Sequence, residues 1–179
     1  MNRKLQNQEL QRLSTDEFRR AKKIPVIVVL DEIRSAYNVG SVFRTADAFL
    51  IEAIFLCGFT PVPPNREIQK TALGANESVR WKYFKNIVDA ISELKNSGYK
   101  IVAVEQTVNS VSLEHFNPSK SEKLALIFGN EVGGVSDDVI VVSDVCLEIP
   151  QYGTKHSLNI AVCTGIVLQN LFQKIKKPA

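Results

Sequence analysis

Apolar residues in this chain come in short continuous runs, separated by polar stretches with the spacing of helices or turns. Val26-Ile27-Val28-Val29-Leu30, Ala53-Ile54-Phe55-Leu56-Cys57, Lys100–Val104 and Leu124–Phe128 predict strands covered on both faces, the pattern of a parallel sheet between helices. Asp144–Ile149 predicts a last strand. Helical spacing covers about Gln8–Lys22, Val39–Leu50 and Ile87–Asn96, the last stopped by Gly98. Ser14-Thr15-Asp16-Glu17 fits a capping box, so the first helix divides readily into two, and Pro25 ends it. Gly58–Glu77 holds Pro61, Pro63 and Pro64 without clear periodicity and predicts a long surface loop with at most one helical turn.

The chain closes with a helix over about Ser157–Ile175. Its residues 160–168 are apolar all round except for Thr164, which predicts burial on every side. Beyond Leu168 only the stripe Leu171, Phe172 and Ile175 remains. Such a helix either runs through the middle of a domain or forms a subunit interface. Strands alternating with helices over 179 residues make one α/β domain with a mainly parallel sheet flanked by helices.

Composition narrows this picture. A hydrophobic fraction of 45% and a charged fraction of 23% are those of an ordinary globular protein. No apolar run is long enough to span a bilayer, and the polar, basic start has no signal-peptide core, so a cytoplasmic protein with no membrane partner is expected. Cys57, Cys146 and Cys163, with only His115 and His156 beside them in the inventory, have no zinc-site spacing, so no metal is expected and buried structural thiols are. Residues 1–23 carry Arg3, Lys4, Arg12, Arg19, Arg20, Lys22 and Lys23 against Glu9, Asp16 and Glu17. This basic helical extension suits an anionic partner such as nucleic acid, and equally a solvated helix face.

Three loops follow predicted strands, where ligands bind in open α/β sheets. In the first, Asn38 is placed to cap the next helix. Arg44 lies inside that helix among apolar neighbours, where its guanidinium needs a partner: a phosphate, or Asp47 in a buried ion pair. In the second, Gly129, Gly133 and Gly134 bracket Glu131, which projects into a cleft or into solvent. The glycine spacing matches neither a dinucleotide fingerprint nor a P-loop, and the missing fingerprint after the first strand also excludes a nucleotide-dependent dehydrogenase. In the third, Pro150 and Gly153 shape a turn, and Ser157 and Asn159 sit at the head of the closing helix, satisfying its backbone or holding a ligand. His156 beside Ser157 makes no hydrolase, because adjacent helical residues do not face each other and no nucleophile elbow is present.

In order and spacing, Asn38-Val39-Gly40-Ser41-Val42-Phe43-Arg44-Thr45-Ala46-Asp47, then Leu126–Val135, then Ile149-Pro150, Gly153, Ser157–Val162 and Gly165-Ile166 resemble the three motifs of the SpoU (TrmH-like) branch of the SPOUT superfamily. The resemblance covers roughly residues 24–175 and assigns residues 24–179 to a catalytic domain. It implies a deep C-terminal trefoil knot, formed where the last helix passes through the preceding loop, and a homodimer through the knot region and that helix. It implies that S-adenosylmethionine (SAM) is held by Leu126, Phe128, Gly129, Ile149, Pro150, Gln151, Ser157 and Leu158. The reaction implied is methyl transfer to a ribose 2′-hydroxyl of RNA. Arg44 is then the main catalytic residue, with Asn38, Glu131, Ser157 and Asn159 shaping the site. A guanidinium donates but does not accept, which favours Arg44 as a clamp on the phosphate beside the target ribose, with a phosphate oxygen relaying the proton.

Gln151 stands where the family often has methionine, and Lys155 adds a positive charge at the mouth. Lys174, Lys176 and Lys177 add basic residues at the other end. Those of Arg66–Lys85 alternate with Trp81, Tyr83 and Phe84, which stack on bases or pack in the core. A catalytic domain with short basic tails favours tRNA over ribosomal RNA as the partner. The alternatives are the same reaction on ribosomal RNA, or an RNA-binding protein that keeps the fold without catalysis.

Overall fold

The computed structural model describes residues 2–176; Lys177 lies outside them. A 3-10 turn (Asn7–Leu10) and α1 (Thr15–Arg20) precede the sheet, and the Ser14 hydroxyl accepts from the Glu17 N–H while the Glu17 carboxylate returns to the Ser14 N–H at 2.8 Å. The capping box thus splits the basic arm as expected.

The strands are β1 (Ile24–Asp31), β2 (Ile51–Cys57), β3 (Arg80–Phe84), β4 (Lys100–Val104), β5 (Val111–Ser112), β6 (Leu124–Phe128) and β7 (Val145–Glu148). They form one sheet in the order β3-β2-β1-β6-β4-β7-β5, with every neighbouring pair parallel. The helices are α2 (Ala36–Ala48), α3 (Arg66–Ala72), α4 (Ala75–Ser78), α5 (Ile87–Asn96), α6 (Asp137–Val142) and α7 (Ile160–Lys176).

Because successive strand residues face opposite sides, Val26, Val28, Leu30, Ile54, Leu124 and Leu126 share one core with α2, α3 and α7. Ile27, Val29, Phe55, Ile101, Ala125 and Ile127 share another with Ala90, Ile91 and Leu94 of α5 and Val139 of α6. The sheet is therefore apolar on both faces. Leu126 and Ile127 are fully buried on opposite sides, and each contributes about 1.5–3 kcal/mol by leaving water.

Four departures from the sequence reading have local causes. The expected loop over Gly58–Glu77 contains α3 and α4, because Asn65 Oδ1 accepts from the Glu67 and Ile68 N–H groups at 2.9 and 3.2 Å and Ile68 and Ala72 bury one helical face. Strand β3 carries a mostly exposed polar sequence at the sheet edge: Phe84 packs in the core, whereas Trp81 and Tyr83 stay exposed. The short α6 follows Ser136, with Asp137 and Asp138 in its first turn. Helix α7 starts at Ile160, and it is not buried on every side: Ile160, Thr164, Val167, Leu168 and Leu171 are buried, while Val162 and Ile166 are 53% and 39% exposed. Among the described residues no helix is long and apolar enough to cross a membrane.

Candidate active site

Strand direction places the three motif loops at one end of the sheet, because β1, β6 and β7 are parallel members of it and each loop follows a strand's carboxyl end. Thr60 pins the first loop: its hydroxyl donates to the Leu30 carbonyl at 3.1 Å and accepts from the Ile33 N–H at 3.0 Å. Ser35, not Asn38, caps α2, its hydroxyl accepting from the Asn38 N–H at 3.3 Å. This corrects the expected cap and frees the Asn38 side chain for other contacts.

Those contacts join the three loops. Asn38 Nδ2 donates to Glu131 Oε1 at 3.2 Å, and Asn159 Nδ2 donates to Asn38 Oδ1 at 3.3 Å. The other Glu131 oxygen accepts from the Arg34 N–H at 3.3 Å. Burial pushes the Glu131 carboxyl up, but donors from its own backbone, Arg34, Asn38 and Ser35 outweigh this and hold it below the usual carboxylate range. Glu131 is therefore ionised at neutral pH and a weak base. Asn159 also caps α7, its Oδ1 accepting from the Ala161 N–H at 2.9 Å. Of the two roles the sequence offers for it, helix cap and site residue, the cap is filled, and its amide nitrogen is left to reach Asn38.

The second loop folds back on itself. Asn130 Oδ1 accepts from the Val132 and Gly133 N–H groups at 2.9 and 2.7 Å, and Gly134 has φ +66°. A Cβ on Gly129 would fall 1.9 Å from the Gly134 carbonyl oxygen, so only glycine allows this approach. The turn leaves a cleft of about 500 Å3, walled by Phe128, Gly129, Ile149, Gln151, Ser157 and Leu158 together with Glu131 and Asn159.

Three expected residues stand elsewhere. The Leu126 side chain is fully buried in the sheet, with β1 and β4 on either side of its strand. Pro150 is not on the cleft wall. Arg44 is exposed on α2, not among apolar neighbours, and among the described residues it has no ion pair. Asp47 instead accepts from the Ser78 hydroxyl. At 1.5 Å per residue, Arg44 stands about 9 Å along the helix from Asn38.

The sequence reading missed Glu105 and Gln106, which follow β4 and line the cleft. Glu105 accepts from the Val135 N–H at 3.0 Å and so braces the second loop, and Gln106 donates to the His156 carbonyl at 3.1 Å and so braces the third. The rule that points to the ends of β1, β6 and β7 points equally to the end of β4. With Glu148, the cleft holds three carboxylates, an environment that favours a cation. Cys163 also lines it, but burial, with the charge of Glu105, pushes its thiol up to about 11; burial, with Asp31, takes Cys57 up to about 12. Both stay protonated and unreactive. Cys57 is buried as expected, whereas Cys146 and Cys163 are only half-buried.

Residues 25–169 match the SpoU rRNA Methylase family. The chain is 30% identical over 155 residues to the tRNA (guanosine(18)-2′-O)-methyltransferase of Borreliella burgdorferi, a match covering 83% of this chain and 66% of that protein. It is 32% identical over 144 residues to the 23S rRNA (guanosine-2′-O-)-methyltransferase RlmB of Neisseria meningitidis, covering 80% of this chain and 56% of that protein. The chain thus spans less than two thirds of the length of these relatives. The AdoMet-bound rRNA methyltransferase from Sinorhizobium meliloti superposes with a TM-score of 0.79 at 27% identity, covering 90% of this chain and 61% of that one.

Proposed function

The chain belongs to the SpoU rRNA Methylase family, and from that premise we propose that it transfers a methyl group from SAM to a ribose 2′-hydroxyl of RNA. The observation that carries the proposal is the Asn159–Asn38–Glu131 chain of hydrogen bonds, which ties the three family motifs together beside one cleft.

The cleft fits SAM. Its volume is in the range of small-molecule sites, and Glu105, Glu131 and Glu148 suit a sulfonium cation. When bound there, SAM supplies an electrophilic methyl group. Phe128, Gly129, Ile149, Gln151, Ser157 and Leu158 are the residues placed to hold it, with Leu126 and Pro150 as supports. Glu131, a weak base held by several donors, positions Asn38 and the Arg34 backbone. Arg44, exposed and without an ion pair among the described residues, clamps the phosphate beside the target ribose. A phosphate oxygen then takes the hydroxyl proton, a task for which the guanidinium has no lone pair.

Residues 1–23 serve as a basic extension to a catalytic domain of residues 24–179. The exposed α7 stripe of Val162 and Ile166, flanked by Leu158, supports a homodimer through α7, which sedimentation at micromolar concentration would measure. Helix α7 follows β7 yet packs on α2 and β1, beyond β4 and β6, which supports a trefoil knot. Pulling the chain by its ends would then leave a contour shorter than that of a fully extended chain. A cytoplasmic location follows from an RNA substrate. The short basic extension favours tRNA; the RlmB relative makes ribosomal RNA the second reading.

Methyl transfer from labelled SAM to total tRNA and, separately, to ribosomal RNA tests the proposal, with Arg44→Ala as control. Ribose-methylated product from one pool, reduced at least a hundredfold in the control, is expected. Absence of both SAM binding and transfer to either pool would refute it in favour of an RNA-binding protein, whereas SAM binding without transfer would point to a rarer or precursor RNA.

A further inference from the structure

A second cavity, of about 370 Å3, opens at the opposite end of the sheet from the cleft. Arg19 and Arg20 of α1, Lys23 before β1, Ser78 of α4 and Arg80 at the start of β3 wall it, with Glu52 as the one carboxylate. Glu52 also acts on Tyr99, raising its phenol after burial has done so.

Two of the four cations are occupied. Lys23 donates to the Phe18 and Ala21 carbonyls and lies 3.9 Å from the centre of the Phe18 ring. Arg19 donates to the Glu77 carbonyl at 2.7 Å and reaches Asp16 at 3.6 Å. Arg20 and Arg80 are exposed, and among the described residues neither has a hydrogen bond or ion pair from its side chain. The like charges act on one another: burial first, then the charge of Arg80, lowers the Lys23 ammonium, with Asp47 opposing. An anion in this cavity relieves that repulsion.

Two further features say which anion. From Arg80 the edge strand continues with Trp81 and Tyr83, 37% and 47% exposed and on one face of the strand by its alternation. The Tyr83 hydroxyl donates to the Gly58 carbonyl at 3.0 Å, which holds that ring in place. Exposed aromatic rings on the edge strand that begins with an unpaired guanidinium suit bases and phosphates together. In addition, α2 runs from Asn38 at the cleft to Asp47, which is bonded to Ser78 on the cavity wall, so Arg44 lies between the two sites.

Resting on the RNA methyltransferase reading above, we propose that this cavity and the β3 edge form a docking surface for the phosphodiester backbone of the substrate RNA. The eight residues of β1, at about 3.3 Å each, separate it from the cleft by about 25 Å. The enzyme then grips its RNA at two distant points joined by Arg44 and selects a folded RNA over a short strand.

Binding of unfractionated tRNA and of ribosomal RNA across a range of salt concentrations tests this on the full chain, using Arg20→Gln/Arg80→Gln and Arg20→Lys/Arg80→Lys. The glutamine pair is expected to weaken tRNA binding at least tenfold and to reduce the salt slope by about one to two. It should raise the KM for RNA, leaving kcat and SAM affinity unchanged. The lysine pair should stay within about threefold of wild type, since the charge is retained. Unchanged affinity and slope in the glutamine pair, with wild type binding tRNA, would overturn the docking surface alone. Polyglutamate displacing tRNA as well as nucleic acid does would overturn it in favour of an acidic protein partner. A wild-type chain that binds SAM but neither RNA would remove the methyltransferase reading and this surface with it.

Discussion

Gly40 brings α2 and α3 together so closely that a single methyl group cannot be added without moving backbone. A Cβ there meets Thr71 Oγ1 at 2.1 Å and the Ile68 carbonyl oxygen at 2.4 Å. The Thr71 hydroxyl can rotate away, at the loss of its 2.9 Å bond to the Tyr37 carbonyl. The Ile68 carbonyl belongs to α3 itself and moves only with that helix. Gly40→Ala gains about 1 kcal/mol in helix propensity, set against an overpacking cost at the upper end of about 1–3 kcal/mol, because the conflict is with backbone. The expected net loss is about 1–2 kcal/mol. For a chain of this size that lowers the melting temperature by about 2–8 °C, read by circular dichroism at fixed protein concentration. Adding Thr71→Ala should recover less than half of the loss, since the carbonyl conflict remains. Methyl transfer should fall as well, because α2, pushed back by the same conflict, carries Asn38 and Arg44. A melting temperature unchanged or raised in Gly40→Ala would refute the reasoning, since it would mean that α2 and α3 part at no cost.

Asn159→Asp keeps an oxygen to cap α7 but loses the donor to Asn38: methyl transfer should fall at least tenfold with stability within about 0.5 kcal/mol of wild type, whereas Asn159→Ala should also lose about 1 kcal/mol. Equal stability losses in the two would show that the cap oxygen is not what Asn159 contributes. Because Glu131 is held below the usual carboxylate range, its stabilisation is complete above its unfolded value of about 4.3 and fades as pH falls through the lower folded value. The stability gap between wild type and Glu131→Gln, from urea unfolding, should be level from pH 6 to 8 and shrink below about pH 4; a gap widest in acid would contradict the hydrogen bonds assigned to it. Asp31 behaves in the opposite sense, burial and then Glu32 raising it to about 6, so its favourable contribution is lost as pH rises through 6. Asp31→Asn should gain about 1–2 kcal/mol at pH 8, after allowing for solvent screening, and nothing at pH 4. Thermal melts at the two pH values decide it.

The buried strands were legible because a two-sided sheet needs unbroken apolar runs: β4 and β6 occupy the residues the sequence marks, and β1 and β2 extend theirs by only one or two residues at an end. Strand β3 was not, because an edge strand with four exposed residues has no apolar run. Helices α3 and α4 were hidden because they hold only four buried residues, Ile68, Ala72, Ala75 and Ser78, behind a proline-rich approach. The identities of Asn38, Glu131 and Asn159 stood out in their motifs, but which group caps α2 did not. Ser35 and Asn38 are both good caps, and only the carboxylate brought close from 93 residues away leaves Ser35 with the task. Arg44 was misplaced for a related reason: neighbours in sequence are apolar, but the helix turns it to the outer side, away from Val42, Phe43 and Ala46.

Asn38 bonds partners 93 and 121 residues further along the chain. Until Asn159 emerges from the ribosome, the first loop has only Glu131 to meet, and until α7 docks the cleft lacks Ser157, Leu158 and Ile160. The second cavity, by contrast, is complete once residues 19–80 are folded. If the proposed docking surface holds RNA, a chain cut before α7 would occupy RNA without modifying it and compete with the full chain for the same molecules. Under the proposed function, methylation of RNA would report that the chain had been made through α7 and closed.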